Sequence, residues 1–279
     1  MLKKAYLEIT NACNLRCSFC HGTKREIKYL SVQEFTAAAE KLRNVTEYLY
    51  FHLMGEPLLH PHLAEFFEIA ASLGFKVILT TNGTLLPKKA ELLLAAKPLH
   101  KVSISLHCYE ANDIGISLEE YLQGCFAFCA AAAKQGIIAV MRLWNIGGAE
   151  SMNQTILDAM HTHFPGEWAE TRSGYRLTDR VFLEWGERFD WPDMEADYVD
   201  SNHTCYGLRD QIGILSNGTI VPCCLDAEGG IPLGNIFTDD LDAVLASPRA
   251  VALKRSFENR NITEELCLRC GYAGRMVKK

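Results

Sequence analysis

Apolar and polar positions alternate through six short runs: AYLEIT at 5–10, YLYFHL at 48–53, KVILT at 76–80, VSISL at 102–106, IAVMRL at 138–143 and VFLEW at 181–185. Such runs predict strands, and the spacing of apolar residues between them predicts helices from Ser31 onward and over 61–73, 87–96, 118–135 and 153–163. Strands alternating with helices imply a parallel sheet with crossover helices, hence an α/β fold. The first helix carries a start signal: Ser31 as N-cap, Glu34 to close a capping box, and Leu30 and Phe35 to form a hydrophobic staple. Gly74 and Gly136 stand where left-handed C-caps are expected. Six βα units are too few for a closed eight-stranded barrel, which leaves an open partial barrel or a doubly wound sheet.

After Ser201 the pattern changes. QIGILSNGTIVPCC holds two short runs around Asn217-Gly218, a type I′ hairpin signal, and SPRAVALKRSFENR reads as a helix ahead of a cysteine pair. The expected division is a larger domain over 1–200 and a smaller module over 201–279, of a size at which metals commonly supplement a thin core.

Charge and composition narrow the partners. With 28 basic and 34 acidic side chains the net charge is −6, and no basic block tracks a phosphate backbone, which argues against nucleic acid. No 18 apolar residues run together, and the apolar part of MLKKAYLEIT is too short for a signal peptide, so no membrane partner and a cytoplasmic location are expected. Eleven cysteines in a reducing compartment point to metal or redox chemistry rather than to disulfides.

Each predicted strand ends in something chemically marked, and in parallel α/β folds functional groups gather at those ends. Cys13, Cys17 and Cys20 follow the first, Gly55-Glu56-Pro57 the second, Thr81-Asn82-Gly83 the third, Ser105 and His107 the fourth; Arg142 lies in the fifth, and Glu184 to Glu187 end the sixth. Three thiolates on one loop, TNACNLRCSFC, can hold three irons of a [4Fe-4S] cube and leave the fourth iron open for a non-protein ligand. The competing reading is a zinc knuckle completed by His21. Cys125 and Cys129 share a helix face and read as core, His52, His60 and His62 read as structural, and Cys108 sits near the rim. FLEWGERFDWPDMEADY reads either as a loop between domains or as a substrate wall, with Glu184 or Glu187 as proton acceptor and His107 within reach of substrate.

The pattern Cys13-x3-Cys17-x2-Cys20, with Phe19 before the last cysteine and Gly55-Glu56-Pro57 after the second strand, resembles the radical S-adenosylmethionine (SAM) enzymes over roughly residues 1 to 190. The resemblance implies a partial (β/α)6 barrel in which SAM chelates the open iron. It places Phe19 near adenine, Gly55 and Glu56 at the methionine ammonium, Asn82 on the same rim, Ser105 at the ribose and Arg142 at the carboxylate. Cys205, Cys223 and the pair Cys267-x2-Cys270, with Gly218 ahead of Cys223, resemble the SPASM and Twitch modules that carry auxiliary [4Fe-4S] clusters. Because the sequence runs only nine residues past Cys270, the shorter Twitch form is expected, with Cys224 as an alternative to Cys223. Within the family the layout resembles the dehydrogenase that oxidises 2-deoxy-scyllo-inosamine.

The resemblance implies two [4Fe-4S] clusters, SAM, and a one-electron reductant such as flavodoxin or ferredoxin. Reductive cleavage of SAM would yield a 5′-deoxyadenosyl radical that takes a hydrogen atom from substrate, with the auxiliary cluster accepting an electron in a dehydrogenase-like oxidation of a small molecule. The alternatives are maturation of a ribosomally made peptide and, from another class, a non-catalytic iron–sulfur or zinc scaffold. Only twelve residues precede Cys13, no room for a leader-binding domain, which tilts the expectation toward a small molecule.

Overall fold

The computed structural model describes residues 1–273. Six strands form its parallel centre: β1 (Lys4–Leu7), β2 (Tyr48–Tyr50), β3 (Lys76–Thr81), β4 (Leu99–Ser105), β5 (Ile138–Ile146) and β8 (Val181–Glu187). Helices α1 (Val32–Leu42), α2 (Leu63–Ser72), α3 (Leu86–Ala95), α4 (Leu118–Lys134) and α5 (Asn153–His163) connect the first five strands and lead on from the fifth. All six expected runs and all five expected helices are present. The Ser31–Glu34 capping box closes in both directions, and Gly74 and Gly136 adopt φ of +79° and +80°.

Strand parity decides what faces where. Ala5, Leu7, Leu49, Phe51, Val77, Leu79, Val102, Ile104, Ala139, Met141, Val181 and Leu183 pack in the main core with the helices. Their alternates, among them Lys4, Tyr6, Tyr50, Thr80, Lys101, Ser103, Arg142 and Glu184, face the other way. An apolar outer face under helices and a polar inner face describe a partial barrel, which resolves the choice against a doubly wound sheet.

Two features were not legible in the pattern. Between α5 and β8 the chain inserts an antiparallel hairpin, β6 (Ala169–Thr171) and β7 (Gly174–Thr178), that extends the sheet beyond β8. On the opposite edge, β9 (Gln211–Ile214) pairs parallel with β1, so the C-terminal segment continues the same sheet through β10 (Thr219–Val221) and β11 (Gly234–Asn235). The turn at Asn217-Gly218 is also not type I′, which needs positive φ at both central residues. Only Gly218 has it (φ +88°), and the Gly218 N–H donates to Leu215 O at 2.8 Å, giving a type I turn followed by a glycine bulge. Three helices follow, α6 (Leu241–Leu245), α7 (Pro248–Glu258) and α8 (Glu265–Leu268), the second being the one expected from SPRAVALKRSFENR.

Candidate functional site

The loop after β1 is held open by its own polar groups. Asn11 clasps its two ends, donating to Glu26 O (2.9 Å) and accepting from Lys28 N (2.8 Å). Backbone N–H groups point at the thiols: Leu15 N lies 3.5 Å from Cys13 Sγ and Gly22 N lies 3.4 Å from Cys20 Sγ. Asn112, beyond β4, donates to Cys17 Sγ at 3.1 Å and accepts from Arg16 N at 2.9 Å. The Cys108 thiol donates a further hydrogen bond to Cys17, and this bond first, with Asn112 behind it, lowers the Cys17 thiol to about 7. Donors aimed at sulfur are what a thiolate ligand set needs.

The turn after β2 is built against that loop. Gly55 has φ +75°, and a Cβ there would lie 2.5 Å from Thr10 O and 2.8 Å from Ala12 O, so only glycine permits the approach. Beside it Glu56 N donates to Ala12 O at 2.7 Å. The Glu56 carboxylate, 1% exposed, accepts from Thr81 Oγ1 (2.8 Å), Asn82 N (2.7 Å) and Leu58 N (3.0 Å). Burial nonetheless raises its carboxyl to about 7, against hydrogen bonds that pull it down. Asn82 in turn donates to Asn14 Oδ1 at 2.9 Å, and Thr84 Oγ1 accepts from Asn14 Nδ2 at 2.9 Å. Glu56 and Asn82 therefore fasten the ends of β2 and β3 to the cysteine loop.

A buried ion pair ties these parts to the C-terminal segment, and the pattern did not mark it. Glu8, 0% exposed, accepts from Arg25 Nη2 (2.7 Å) and Nη1 (2.8 Å), from Met54 N (3.1 Å) and from Ser216 N (2.8 Å). Arg25 also donates through Nε to Ala227 O at 2.8 Å. The one available signal was a carboxylate on the inner parity of AYLEIT. Trp191 adds a second tie, donating to Phe19 O at 3.2 Å.

The remaining candidates divide. Ser105, Arg142 and Glu184 stand in register on neighbouring strands. Arg142 Nε donates to Glu184 Oε2 at 3.2 Å, Lys101 Nζ lies 3.5 Å from Glu184 Oε1, and the guanidinium sits 4.5 Å from the Trp144 ring centroid. Glu187 does not join them: three residues on from Glu184 along β8, it falls on the other face and is exposed. His107 is buried, with Nδ1 3.1 Å from Arg142 O and its ring 4.6 Å from that of Phe19, and burial lowers it to about 4. His21 packs beside Trp191 rather than completing a zinc knuckle. Cys125 and Cys129 are fully buried on α4, His52 takes both ring nitrogens to Thr80, and His60 is core.

The C-terminal thiols come from three separate segments. Burial pushes the Cys223 and Cys267 thiols up, and so do their neighbours: Cys223 lies within electrostatic range of Cys205, Cys267 and Cys270, and Cys267 within range of Cys205 and Cys270. Cys224 accepts a hydrogen bond from the Tyr6 hydroxyl on the inner face and also lies within electrostatic range of Cys205, Cys223 and Cys270. Among the described residues no three Cys, His, Asp or Glu groups are close enough to share one metal ion. A cube whose irons each take one thiolate tolerates wider sulfur spacing than a single zinc, which draws its sulfurs to about 2.3 Å from one centre. The donor set therefore fits iron–sulfur chemistry.

A model of the radical SAM superfamily matches residues 7–152, just over half of the sequence. The chain belongs to the radical SAM superfamily. A second model, the SPASM iron–sulfur cluster-binding domain, matches residues 205–271. These two domains imply [4Fe-4S] clusters, with SAM bound in structures of similar fold. Among curated proteins, a GTP 3′,8-cyclase from Microcystis aeruginosa is 38% identical over 275 residues, covering 82% of this radical SAM chain and 83% of the relative. The tungsten-containing aldehyde ferredoxin oxidoreductase cofactor-modifying protein of Pyrococcus furiosus is 30% identical over 131 residues, but the match spans only 36% of its length and 45% of this chain. In fold, the radical SAM chain resembles BtrN in complex with AdoMet and 2-DOIA (TM-score 0.58, 16% identity, 97% of this chain and 93% of that one). It also resembles Streptococcus suis SuiB bound to the precursor peptide SuiA (TM-score 0.58, 17% identity, 98% and 70%). Among the described residues no helix is long and apolar enough to cross a membrane.

Proposed function

We propose that this radical SAM enzyme abstracts a hydrogen atom from a substrate held on the inner face of the barrel and completes an oxidation, with an auxiliary cluster accepting the electron. The observation that carries the reading is the contrast between three thiols on one loop and four in the C-terminal segment, since a cube with all four irons bound to protein suits electron transfer rather than substrate binding. When bound, the first cluster and SAM supply a 5′-deoxyadenosyl radical.

The chain's own part is to position and to move a proton. Cys13, Cys17 and Cys20 hold the first cluster, while Cys205, Cys223, Cys267 and Cys270 hold the second, in a module over 201–279 that follows the barrel of 1–200. Gly55 and Glu56 set the turn that meets the methionine ammonium. Because three donors already occupy its carboxylate, Glu56 acts as much by fixing Asn82 as by its charge. Phe19 covers the adenine side, Ser105 the ribose, and Arg142 offers its fork to a carboxylate. Glu184, on the inner face, is the proton acceptor we favour over His107, which hydrogen-bonds away from the chamber, and over Glu187, which is on the other face.

Maturation of a ribosomal peptide is the second reading, favoured by the likeness to SuiB bound to its precursor peptide. Anaerobic incubation of reduced, reconstituted protein with SAM tests the shared core of both: release of 5′-deoxyadenosine is expected, and its absence would return the chain to a non-catalytic scaffold. A reductant of the flavodoxin or ferredoxin class should replace the chemical one.

A further inference from the structure

The inner face carries more positive than negative side chains. Lys4, Lys101 and Arg142 share it with a single carboxylate, Glu184, which contacts both Lys101 and Arg142. The Lys4 ammonium lies 5.3 Å from the ring centroids of both Tyr6 and Tyr50, two inner-face residues in register on β1 and β2. Its field reaches Arg142. The nearby acid Asp210 is already engaged by Lys3 and Arg209, and Glu8 is taken by Arg25. Glu184 is shared by Lys101 and Arg142, and among the described residues the Lys4 ammonium meets the Cys224 thiol and the Tyr6 and Tyr50 rings rather than an inner-face carboxylate.

A second, independent observation points the same way. Ser103 stands between Lys101 and Ser105 on the inner parity of β4; it is 0% exposed, and its hydroxyl has no hydrogen-bond partner among the described residues. A buried donor without an acceptor costs stability, and a ligand that accepts from it removes that cost.

We propose that the inner face below Arg142 is an oxyanion subsite, in which Lys101 and Lys4, with the Ser103 hydroxyl as donor, hold a carboxylate or phosphate group of the substrate. The inference rests on the inner face being the substrate chamber. An anchored anion fixes one end of the substrate at the floor, and the C–H to be broken is presented upward to the rim where the cysteine loop and Gly55 lie. Glu184 then has two roles, keeping Lys101 and Arg142 from collapsing onto one anion and standing beside the substrate as the proton acceptor.

The test is calorimetric titration of the anaerobic, cluster-loaded full chain with inorganic phosphate, succinate and glycerol. Saturable binding of one anion and none of glycerol is expected; whichever anion saturates identifies the group. Lys101→Met should weaken that binding about tenfold and Glu184→Gln should strengthen it severalfold, with iron content unchanged in both. Opposite signs matter because damage to the fold would weaken both. The proposal is overturned if neither anion saturates, if the two variants shift binding in the same direction, or if Lys101→Met weakens SAM binding as much as anion binding, which would assign the charge to the cofactor. Release of 5′-deoxyadenosine by the wild-type sample is measured alongside. Its absence with anion binding intact would remove the enzymatic reading, whereas its presence without anion binding would remove only this subsite.

Discussion

The two thiol sets of this chain are built by opposite means. Cys13, Cys17 and Cys20 lie on one loop, the first and last of them exposed and each served by a backbone N–H two residues on, while Cys17 takes its donor from Asn112 beyond β4. Cys205, Cys223, Cys267 and Cys270 are drawn from segments far apart in sequence and are partly buried; Gly207 N lies 3.4 Å from Cys205 Sγ, and further backbone N–H groups serve Cys205 and Cys270. A loop can present thiols outward and leave one coordination position to a small molecule. A set closed by tertiary folding has its neighbours on every side, which suits a cluster that only exchanges electrons.

That contrast can be broken most directly at the first set. Replacing Cys13, Cys17 and Cys20 together by Ala should lower anaerobically determined iron and sulfide from about eight to about four of each per chain, on [4Fe-4S] stoichiometry, and abolish 5′-deoxyadenosine release. Full retention of iron would dissolve the distinction between the sets. The second set is sharpened by its adjacent pair. Cys223→Ala should lose auxiliary-cluster iron and its electron paramagnetic resonance signal while SAM cleavage continues. Cys224→Ala, which removes the acceptor of the Tyr6 hydroxyl, should keep about eight irons. Iron loss in the second variant alone would exchange the two assignments.

The smallest effect concerns how the first site is fastened. Glu56 titrates at about 7 in the folded chain against an ordinary 4.5. A raised carboxyl means that, between those values, the unfolded chain releases its proton while the folded one keeps it, so stability is lost as pH rises through the window. The full shift corresponds to about 3 kcal/mol. Urea unfolding of wild type and Glu56→Gln at pH 5.0 and pH 7.5, two conditions that bracket most of the window, should show the wild type losing stability relative to the variant on going to the higher pH. Parallel behaviour would mean that Glu56 is ionised at no cost.

Much of this was readable because it is local. The Ser31–Glu34 box, the left-handed glycines 74 and 136, and the six alternating runs express backbone geometry within a few residues, and each recurs in the structure. The hairpin at Ser216–Gly218 was misread in type because Asn-Gly satisfies either a two-residue turn or a turn with a bulge, and the flanking register chooses between them. His107 looked available because a strand end is usually a rim, but a short 3-10 turn at Leu106–Cys108 folds it behind Phe19. Glu187 was grouped with Glu184 by sequence proximity, although three residues along a strand reverse the face.

The sequence by itself determined the order of elements and the spacing of Cys13, Cys17 and Cys20, because these depend on periodicities of two and 3.6 residues and on one tight loop. Only the tertiary structure decided that β9 lies beside β1, that Glu8 and Arg25 lock the cysteine loop to Ser216 and Ala227, and that Lys101, Arg142 and Glu184 share one inner face. Those relations join residues up to about two hundred positions apart, and they exist only once the strands have paired and buried charges have found their partners.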